Sequence, residues 1–282
     1  MSDTLKRLAQ LRQQGVRASE EIVQLGRPLV TTKSARGKLG DAQWSVLEQV
    51  ALAALDVGQI KLAMQCITIL EERFPDSPRT NALQGVALEA QGRHAYALEW
   101  YDAMLKVDES NASAWKRKAA CYRSLGQLDK AVEELSAFLD TVYGDAEAWL
   151  ELADIYMSVN QYANALQSIS HALLLAPHNP YYVLQAAETA YTAGDIPLAA
   201  RYYLRAVEML DGDASARRAW FGVKLTARRL HNDHSASHSA SDTEPPQHLQ
   251  ELELLATERL SAAYVAAPSK ATWSVVERWL KA

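Results

Sequence analysis

The stretch that decides the fold is residues 112–145, ASAWKRKAACYRSLGQLDKAVEELSAFLDTVYGD, followed at once by residues 146–179, AEAWLELADIYMSVNQYANALQSISHALLLAPHN. Placed one above the other without a gap, the two stretches carry Trp, Ala, Tyr and Ala in the same columns. The period is therefore 34 residues, which is the length of the tetratricopeptide repeat, a unit made of two helices. The stretch predicts a solenoid of stacked helix pairs.

The same period extends in both directions along the chain and defines five units in register. The units are 44–77, 78–111, 112–145, 146–179 and 180–213. One column of these units is always alanine, which lets two helices approach closely while larger side chains fill the space beside them. Its members are Ala63, Ala97, Ala131, Ala165 and Ala199.

Two further columns predict where the helices begin and end. The last residue of each unit is one whose side-chain oxygen suits a helix start: Ser77, Asn111, Asp145, Asn179 and Asp213. The middle of each unit has a residue that accepts the left-handed conformation found at helix ends: Gly58, Gly92, Gly126, Asn160 and Gly194. Each unit is therefore predicted to hold a first helix, a tight turn and a second helix.

The sequence outside the repeats is predicted to cap the two ends of the solenoid, because terminal units need their apolar surface covered. Residues 1–43 read as two helices and a polar connector. Residues 214–282 read as a helical cap interrupted by the loop 231–247, HNDHSASHSASDTEPPQ, which we expect to be disordered because it has almost no apolar content. The predicted helices span 3–14, 19–30, 214–230, 248–266 and 269–281. The predicted fold class is thus all-α, a right-handed superhelical tetratricopeptide-repeat solenoid with extra N- and C-terminal capping helices.

Composition excludes several classes of function. The chain of 282 residues has a net charge of −5, which argues against a general nucleic-acid binder such as an RNA-binding helical repeat. No apolar run approaches the roughly 18 residues of a membrane span.

Cys66 and Cys121 fall inside predicted helices, where buried hydrophobic roles are expected. Three histidines lie in the loop 231–247 and a fourth, His248, follows it directly, but a flexible loop cannot fix metal ligands in space. We therefore expect a non-enzyme with no catalytic residue, cofactor or metal site.

The candidate functional surface is the groove lined by the first helices of the units. Its predicted partner-binding residues are Arg79, Lys116, Arg117, Lys118, Arg123, Leu150, Asp154, Tyr181, Leu184 and Tyr191. We hypothesise that the run Lys116–Lys118, with Arg79 and Arg123, meets an acidic partner segment. The alternative is that the run is an ordinary solvated helix face.

One known use of such a groove is the carboxylate clamp of co-chaperones, which grips acidic C-terminal tails and needs asparagine at the ninth position of a unit. That position holds Leu52, Val86, Ala120, Asp154 and Glu188. A free-standing adaptor or co-chaperone therefore remains an alternative, but its clamp asparagines are missing.

Several segments resemble one repeat family beyond the general consensus. They are SEEIVQLGRPLV at 19–30, KLGDAQWSVLEQVALAALDVGQ at 38–59, ERFPDSPR at 72–79, YDAMLKVDESNASAWKRKA at 101–119, GDAEAWLELADIY at 144–156 and LLAPHNPYYVLQAAE at 174–188. Over about residues 19–210 the chain is similar to the second-subunit family of the endoplasmic reticulum membrane protein complex.

The resemblance implies a non-catalytic scaffold, peripheral to the endoplasmic reticulum membrane on its cytoplasmic side. Its partners would be other subunits of that complex, both membrane-embedded and cytosolic. The complex as a whole inserts tail-anchored and multipass proteins into the bilayer, and this family has no membrane span of its own.

Overall fold

The computed structural model describes residues 2–210, 216–265 and 270–281. In these ranges the chain forms sixteen α-helices and one 3₁₀ turn, without a β-strand. The predicted cap residue Asp213 and the predicted helix termini at 214, 266 and 269 lie outside the described residues. The chain divides into two compact units, Met1–Phe138 and Leu139–Ala282, whereas the predicted three-segment division at residues 43 and 213 stays a prediction.

The first unit is a series of helices joined by short turns. Its helices are α1 Ser2–Gln13, α2 Ser19–Val30, α3 Lys33–Gly37, α4 Ala42–Asp56, α5 Ile60–Arg73, α6 Pro78–Ala90, α7 His94–Val107 and α8 Ala112–Ser124, followed by α9 Leu128–Thr141, in which the unit ends. Helix α4 contacts its pair-mate α5 and also α6, the first helix of the next pair. Contacts of this kind between first helices are what stacked repeats require.

The second unit continues the same pattern and ends in three further helices. Its elements are α10 Ala146–Ser158, α11 Tyr162–Leu175, α12 Pro180–Ala193, α13 Ile196–Met209, α14 Ala216–Asn232, the 3₁₀ turn His234–Ser237, α15 Leu249–Val265 and α16 Lys270–Lys281. Helix α14 packs on α13 and α15, and α15 packs on α16.

The helix boundaries have the local causes that the columns predict. Side-chain oxygens at three helix starts accept backbone N–H bonds, in the pairs Asn111 with Ala114, Asp145 with Ala148, and Asn179 with Tyr181. Ser77 precedes α6 without such a bond, and proline occupies the first position of that helix. The glycines and the asparagine at the turns all have positive φ, between 61° and 90°.

The interior of each pair depends on the small columns. All five alanines of the repeating column are fully buried. At Gly85 the missing side chain leaves the space that the ring of Tyr101 occupies, and Tyr101 is itself fully buried. Small and large side chains therefore interdigitate between α6 and α7.

The N-terminal helices pack on the first repeat pair, largely through α2 and α4. Gly26 of α2 lies against Val50 of α4, and the Gln49 side chain donates to the Leu8 carbonyl oxygen at 3.1 Å. The polar connector that was predicted between the N-terminal helices and the first repeat contains the short helix α3. The Thr32 side chain caps the first turn of this helix.

The C-terminal helices are joined by one buried cation. Lys224 of α14 donates to Thr257 Oγ1 of α15 at 2.6 Å and to the Leu280 carbonyl oxygen of α16 at 3.1 Å. Burial lowers the pKa of Lys224, as does the nearby charge of Arg228, while Glu253 opposes the shift.

The histidine- and serine-rich segment differs from the disordered loop expected over residues 231–247. Its first two residues complete α14, and the 3₁₀ turn follows. Farther on, the side chains of Ser239 and Ser241 bond to Asp195 at the start of α13. Composition alone missed this anchoring because a buried carboxylate elsewhere in the chain supplies the partner.

Candidate partner-binding surfaces

A cavity of about 530 Å³ lies in the first unit, on the side formed by the first helices of successive pairs. Its walls come from α1, the α1–α2 turn, α2, α4, α6 and α8. The lining carries four arginines and two carboxylates: Arg12, Arg17, Arg79, Arg117, Glu48 and Asp56. The structure thus brings together Arg79 and Arg117, which the sequence assigned to a partner surface, with two arginines that it did not.

Two of these arginines are held by carboxylates but keep most of their surface open. Arg79 Nη2 lies 2.7 Å from Glu48 Oε2, and Arg79 also bonds Oε1 through two nitrogens. Arg17 Nε lies 2.9 Å from Asp56 Oδ2. The Arg79 and Arg17 side chains are 80% and 81% exposed. Their guanidinium groups are therefore oriented by the protein while still open to a ligand.

Asp56 is the more constrained of the two lining carboxylates. It accepts from Arg17 and from the Ser19 hydroxyl, the latter at 2.6 Å. The hydrogen bonds from Arg17 lower the pKa of Asp56, against the opposing effect of burial. Asp56 therefore stays ionised at neutral pH and ties the α1–α2 turn to α4.

Arg117 connects the groove to the core. Its Nη1 lies 3.3 Å from Glu89 Oε2, and Glu89 also accepts the hydroxyl of buried Tyr101. Burial and the neighbouring Glu89 both raise the pKa of Tyr101 well above its ordinary value. This hydroxyl is therefore a permanent donor, and Arg117 is fixed from behind by the Glu89 carboxylate.

The run Lys116–Lys118 does not form one basic surface. Lys118 is only 14% exposed and lies 2.9 Å from Asp102 Oδ1 and 2.7 Å from Glu134 Oε1. Burial alone would lower the pKa of Lys118, but the two carboxylates raise it overall. Successive residues on a helix point about 100° apart, so three adjacent cations diverge. Arg123 is exposed near the end of α8, and Lys116 is half-buried.

The predicted residues of the second unit lie among polar contacts between first helices. Asp154 of α10 accepts from Gln185 of α12 at 3.0 Å. Farther along, Glu188 of α12 binds Arg218 of α14. A third contact places Arg229 over the ring of Tyr191, 5.6 Å from its centroid. Like the Glu48–Arg79 pair between α4 and α6, these contacts join the first helices of successive helix pairs.

The apolar members of the predicted surface differ in accessibility. Tyr181 is 54% exposed, whereas Leu184 is only 4% exposed and packs in the core of the second unit. Leu184 was predicted to line the groove, but its side chain packs into the hydrophobic core between the helices. Leu150 is half-buried.

Sequence reasoning missed several residues that shape these surfaces. Arg17 and Asp56 are 39 positions apart and belong to no shared repeat column, so nothing in the periodicity pairs them. Arg218 and Arg229 could have been selected from the sequence, because α14 is rich in basic residues. That composition does not predict that Glu188 and Tyr191 are their partners.

The described residues contain no group of three or more His, Cys, Asp or Glu side chains placed to hold a metal ion. Burial raises the pKa of Cys66 to about 11 and that of Cys121 to about 12, so both thiols are protonated and poorly nucleophilic at neutral pH. Across the same described ranges, none of the helices combines the length and apolarity needed to cross a bilayer.

Solved structures confirm the predicted all-α tetratricopeptide class. A repeat protein from Cytophaga hutchinsonii superposes with a TM-score of 0.62, covering 94% of this chain and 96% of its own at 15% identity. PilF of Pseudomonas aeruginosa gives a TM-score of 0.53, with 86% and 98% of the two chains covered at 16% identity. At these identities the likeness concerns the fold alone.

Sequence comparison is more specific. The family model described as the EMC2 TPR-like repeat domain matches residues 66–197. ER membrane protein complex subunit 2-A of Xenopus laevis is 34% identical over 229 residues, which are 80% of this chain and 75% of that protein. The subunit 2 of Dictyostelium discoideum is 33% identical over 129 residues, covering 45% and 39%. The chain therefore belongs to the ER membrane protein complex subunit 2 family.

Proposed function

We propose that this chain is a non-catalytic scaffold subunit of an ER membrane protein complex. The observation that supports this most directly is the arginine-lined cavity of the first unit, in a chain of this family. Oriented guanidinium groups on a groove suit the recognition of carboxylates on a partner segment. In this role the chain binds its partners and catalyses no reaction.

The finer proposal concerns place and process. The chain sits at the cytoplasmic side of the endoplasmic reticulum membrane as a peripheral subunit, bound to membrane-embedded and cytosolic partners. The assembled complex inserts tail-anchored and multipass proteins into the bilayer. These statements rest on the family resemblance and on its relatives' names.

The proposed contact residues follow the observed geometry. The acidic partner segment meets Arg12, Arg17, Arg79 and Arg117, since these four line one cavity. Lys118 is left out because its ammonium group is already bound by two carboxylates. Tyr181 and Arg123 are exposed and remain proposed contacts for other partner segments.

Native affinity purification tests the assignment. The full chain, tagged and expressed in its own cells, is recovered from gently solubilised membranes, and its companions are identified by mass spectrometry. We expect a stoichiometric set of membrane-embedded and soluble subunits. Recovery of soluble chaperones alone, or of nothing, would instead indicate a free-standing adaptor.

A pair of matched variants tests the groove. Arg12→Gln with Arg79→Gln removes two cavity cations, and Lys106→Gln with Lys130→Gln removes two exposed cations elsewhere in the same unit. We expect the first variant to reduce recovery of partners several-fold and the second to leave it unchanged. Exposed ion pairs contribute about 0–1 kcal/mol, so both variants keep nearly the parent melting temperature. Equal recovery from both variants contradicts the groove proposal.

A further inference from the structure

A second feature of the molecule is the serine strap, residues 238–243, which lies across the start of α13. Asp195, the residue before α13, is only 7% exposed and accepts a backbone bond from Leu198 at 3.1 Å. The strap adds three side-chain bonds and one backbone bond to the same carboxylate. Ser239 Oγ lies 2.8 Å from both carboxylate oxygens, while Ser241 Oγ and N lie 2.9 and 3.3 Å from Oδ2.

The strap forms one wall of an open surface cavity of about 850 Å³. The opposite walls come from the start of α11 and from the α12–α13 turn, and they include Leu166 and Leu198. Residues 238–241 form the remaining wall. Detachment of the strap therefore removes this wall and exposes the side chains that pack against it.

The serine hydroxyls hold the strap in place by bonding to one buried carboxylate, that of Asp195. A negative charge added to the strap would be repelled by this carboxylate and would weaken the attachment. Ser241 is exposed, although its Oγ bonds to Asp195. Acidic residues follow it at Asp242 and Glu244. An exposed serine with acidic residues directly after it is the substrate type of acid-directed serine/threonine kinases.

We propose that Ser241 is a phosphorylation site and that its modification releases the strap from Asp195. In the reaction, Ser241 Oγ attacks the γ-phosphorus of ATP, and the bond from that phosphorus to the β–γ bridging oxygen breaks. The hydroxyl proton passes to the base of the kinase, and ADP leaves.

The product carries a phosphate group with a charge of about −1.5 to −2 at neutral pH, attached to the Ser241 oxygen that lay 2.9 Å from the Asp195 carboxylate. The donor of that hydrogen bond is lost at the same time. Repulsion and loss of the bond act in the same direction, so the strap detaches from Asp195 and the cavity loses this wall. Arg201 already donates to the Glu244 carbonyl oxygen and is the cation that competes for the new phosphate.

The test uses the full chain, ATP and an acid-directed kinase. We expect one added phosphate, which fragmentation of the peptide places on Ser241. Hydrogen exchange of residues 238–247 should then rise by about tenfold or more, because the bonds to Asp195 are lost. Phosphate found only on other hydroxyls overturns the site. Slower exchange after modification overturns the release, since Arg201 would then hold the strap down.

Matched variants separate charge from the loss of the hydroxyl. Ser241→Asp carries a charge, and Ser241→Asn has nearly the same size without one. Exchange of the strap should be faster in Ser241→Asp than in Ser241→Asn, and this difference should shrink when Asp195→Asn is also present. Equal exchange in the two single variants contradicts the electrostatic release.

Discussion

At the scale of single residues, Gly85 illustrates how tightly the repeat interior is packed. A methyl group at this position overlaps the ring of Tyr101, which is fully buried. We expect Gly85→Ala to cost about 1–3 kcal/mol of unfolding free energy, as overpacking usually does. Gly37→Ala is the matched control, since Gly37 is helical and nothing lies near its side-chain position. In urea unfolding, the control should have a free energy of unfolding equal to or above that of the parent. An equal loss of unfolding free energy in both variants argues against the Tyr101 clash.

Asp56 predicts a dependence of stability on pH. Arg17 lowers the pKa of Asp56 in the folded state. The ionised Asp56 therefore stabilises the fold at pH values above its unfolded-state pKa, which is near 4. This stabilisation is lost as the pH falls through the folded-state pKa. Because Arg17 is largely exposed, we expect Asp56→Asn to cost only about 0.5–1 kcal/mol at pH 7. Unfolding curves from pH 7 to pH 3 should show this difference shrinking. A difference that stays constant contradicts the linkage, and exposed Asp41→Asn is the control.

Residue by residue, the sequence was informative wherever a position repeats. The alanine column and the capping oxygens of Asn111, Asp145 and Asn179 could be predicted because each belongs to a column that repeats five times. The Arg17–Asp56 pair has one copy and joins positions 39 apart. Such a contact depends on how α1 and α2 turn onto α4, which no local pattern encodes.

At the scale of elements, Lys224 joins three C-terminal helices through one buried ammonium group. Its loss leaves Thr257 and the Leu280 carbonyl oxygen without their donor. We expect Lys224→Ala to weaken the cap by about 1–3 kcal/mol and to raise amide exchange in α16 first. Leu225→Ala, an exposed change on the same helix, is the control. Unaltered exchange in α16 would mean that other contacts, such as Phe221 with Trp279, hold this helix alone.

Elements also mark where the sequence pattern did not predict the contacts that the structure shows. The run Lys116–Lys118 of α8 was predicted to meet an acidic partner segment, but Lys118 lies between α7 and α9 and binds Asp102 and Glu134 there. Segment 231–247 was predicted as disordered from its composition, and serine hydroxyls gave it a partner in Asp195. In both cases the deciding contact lies on another element.

At the scale of the whole molecule, a repeat protein differs from a globular domain in how stability is distributed. Each helix pair contacts chiefly its neighbours in the chain, so stability approximates a sum of local terms. This distribution suits a scaffold, because one stretch can order around a partner without disturbing distant stretches.

The last prediction tests that locality. Leu47 of α4 and Val223 of α14 are both buried, in the cores of the first and the second unit. Leu47→Ala removes core contacts worth about 2–5 kcal/mol and should raise amide exchange in α2, α4 and α5. Val223→Ala removes fewer atoms and should act on α13, α14 and α15. Exchange measured across the full chain should show two separate sets of affected helices. A rise of similar size in every helix after either change would show that the chain unfolds as one cooperative body, which a sum of local terms does not allow.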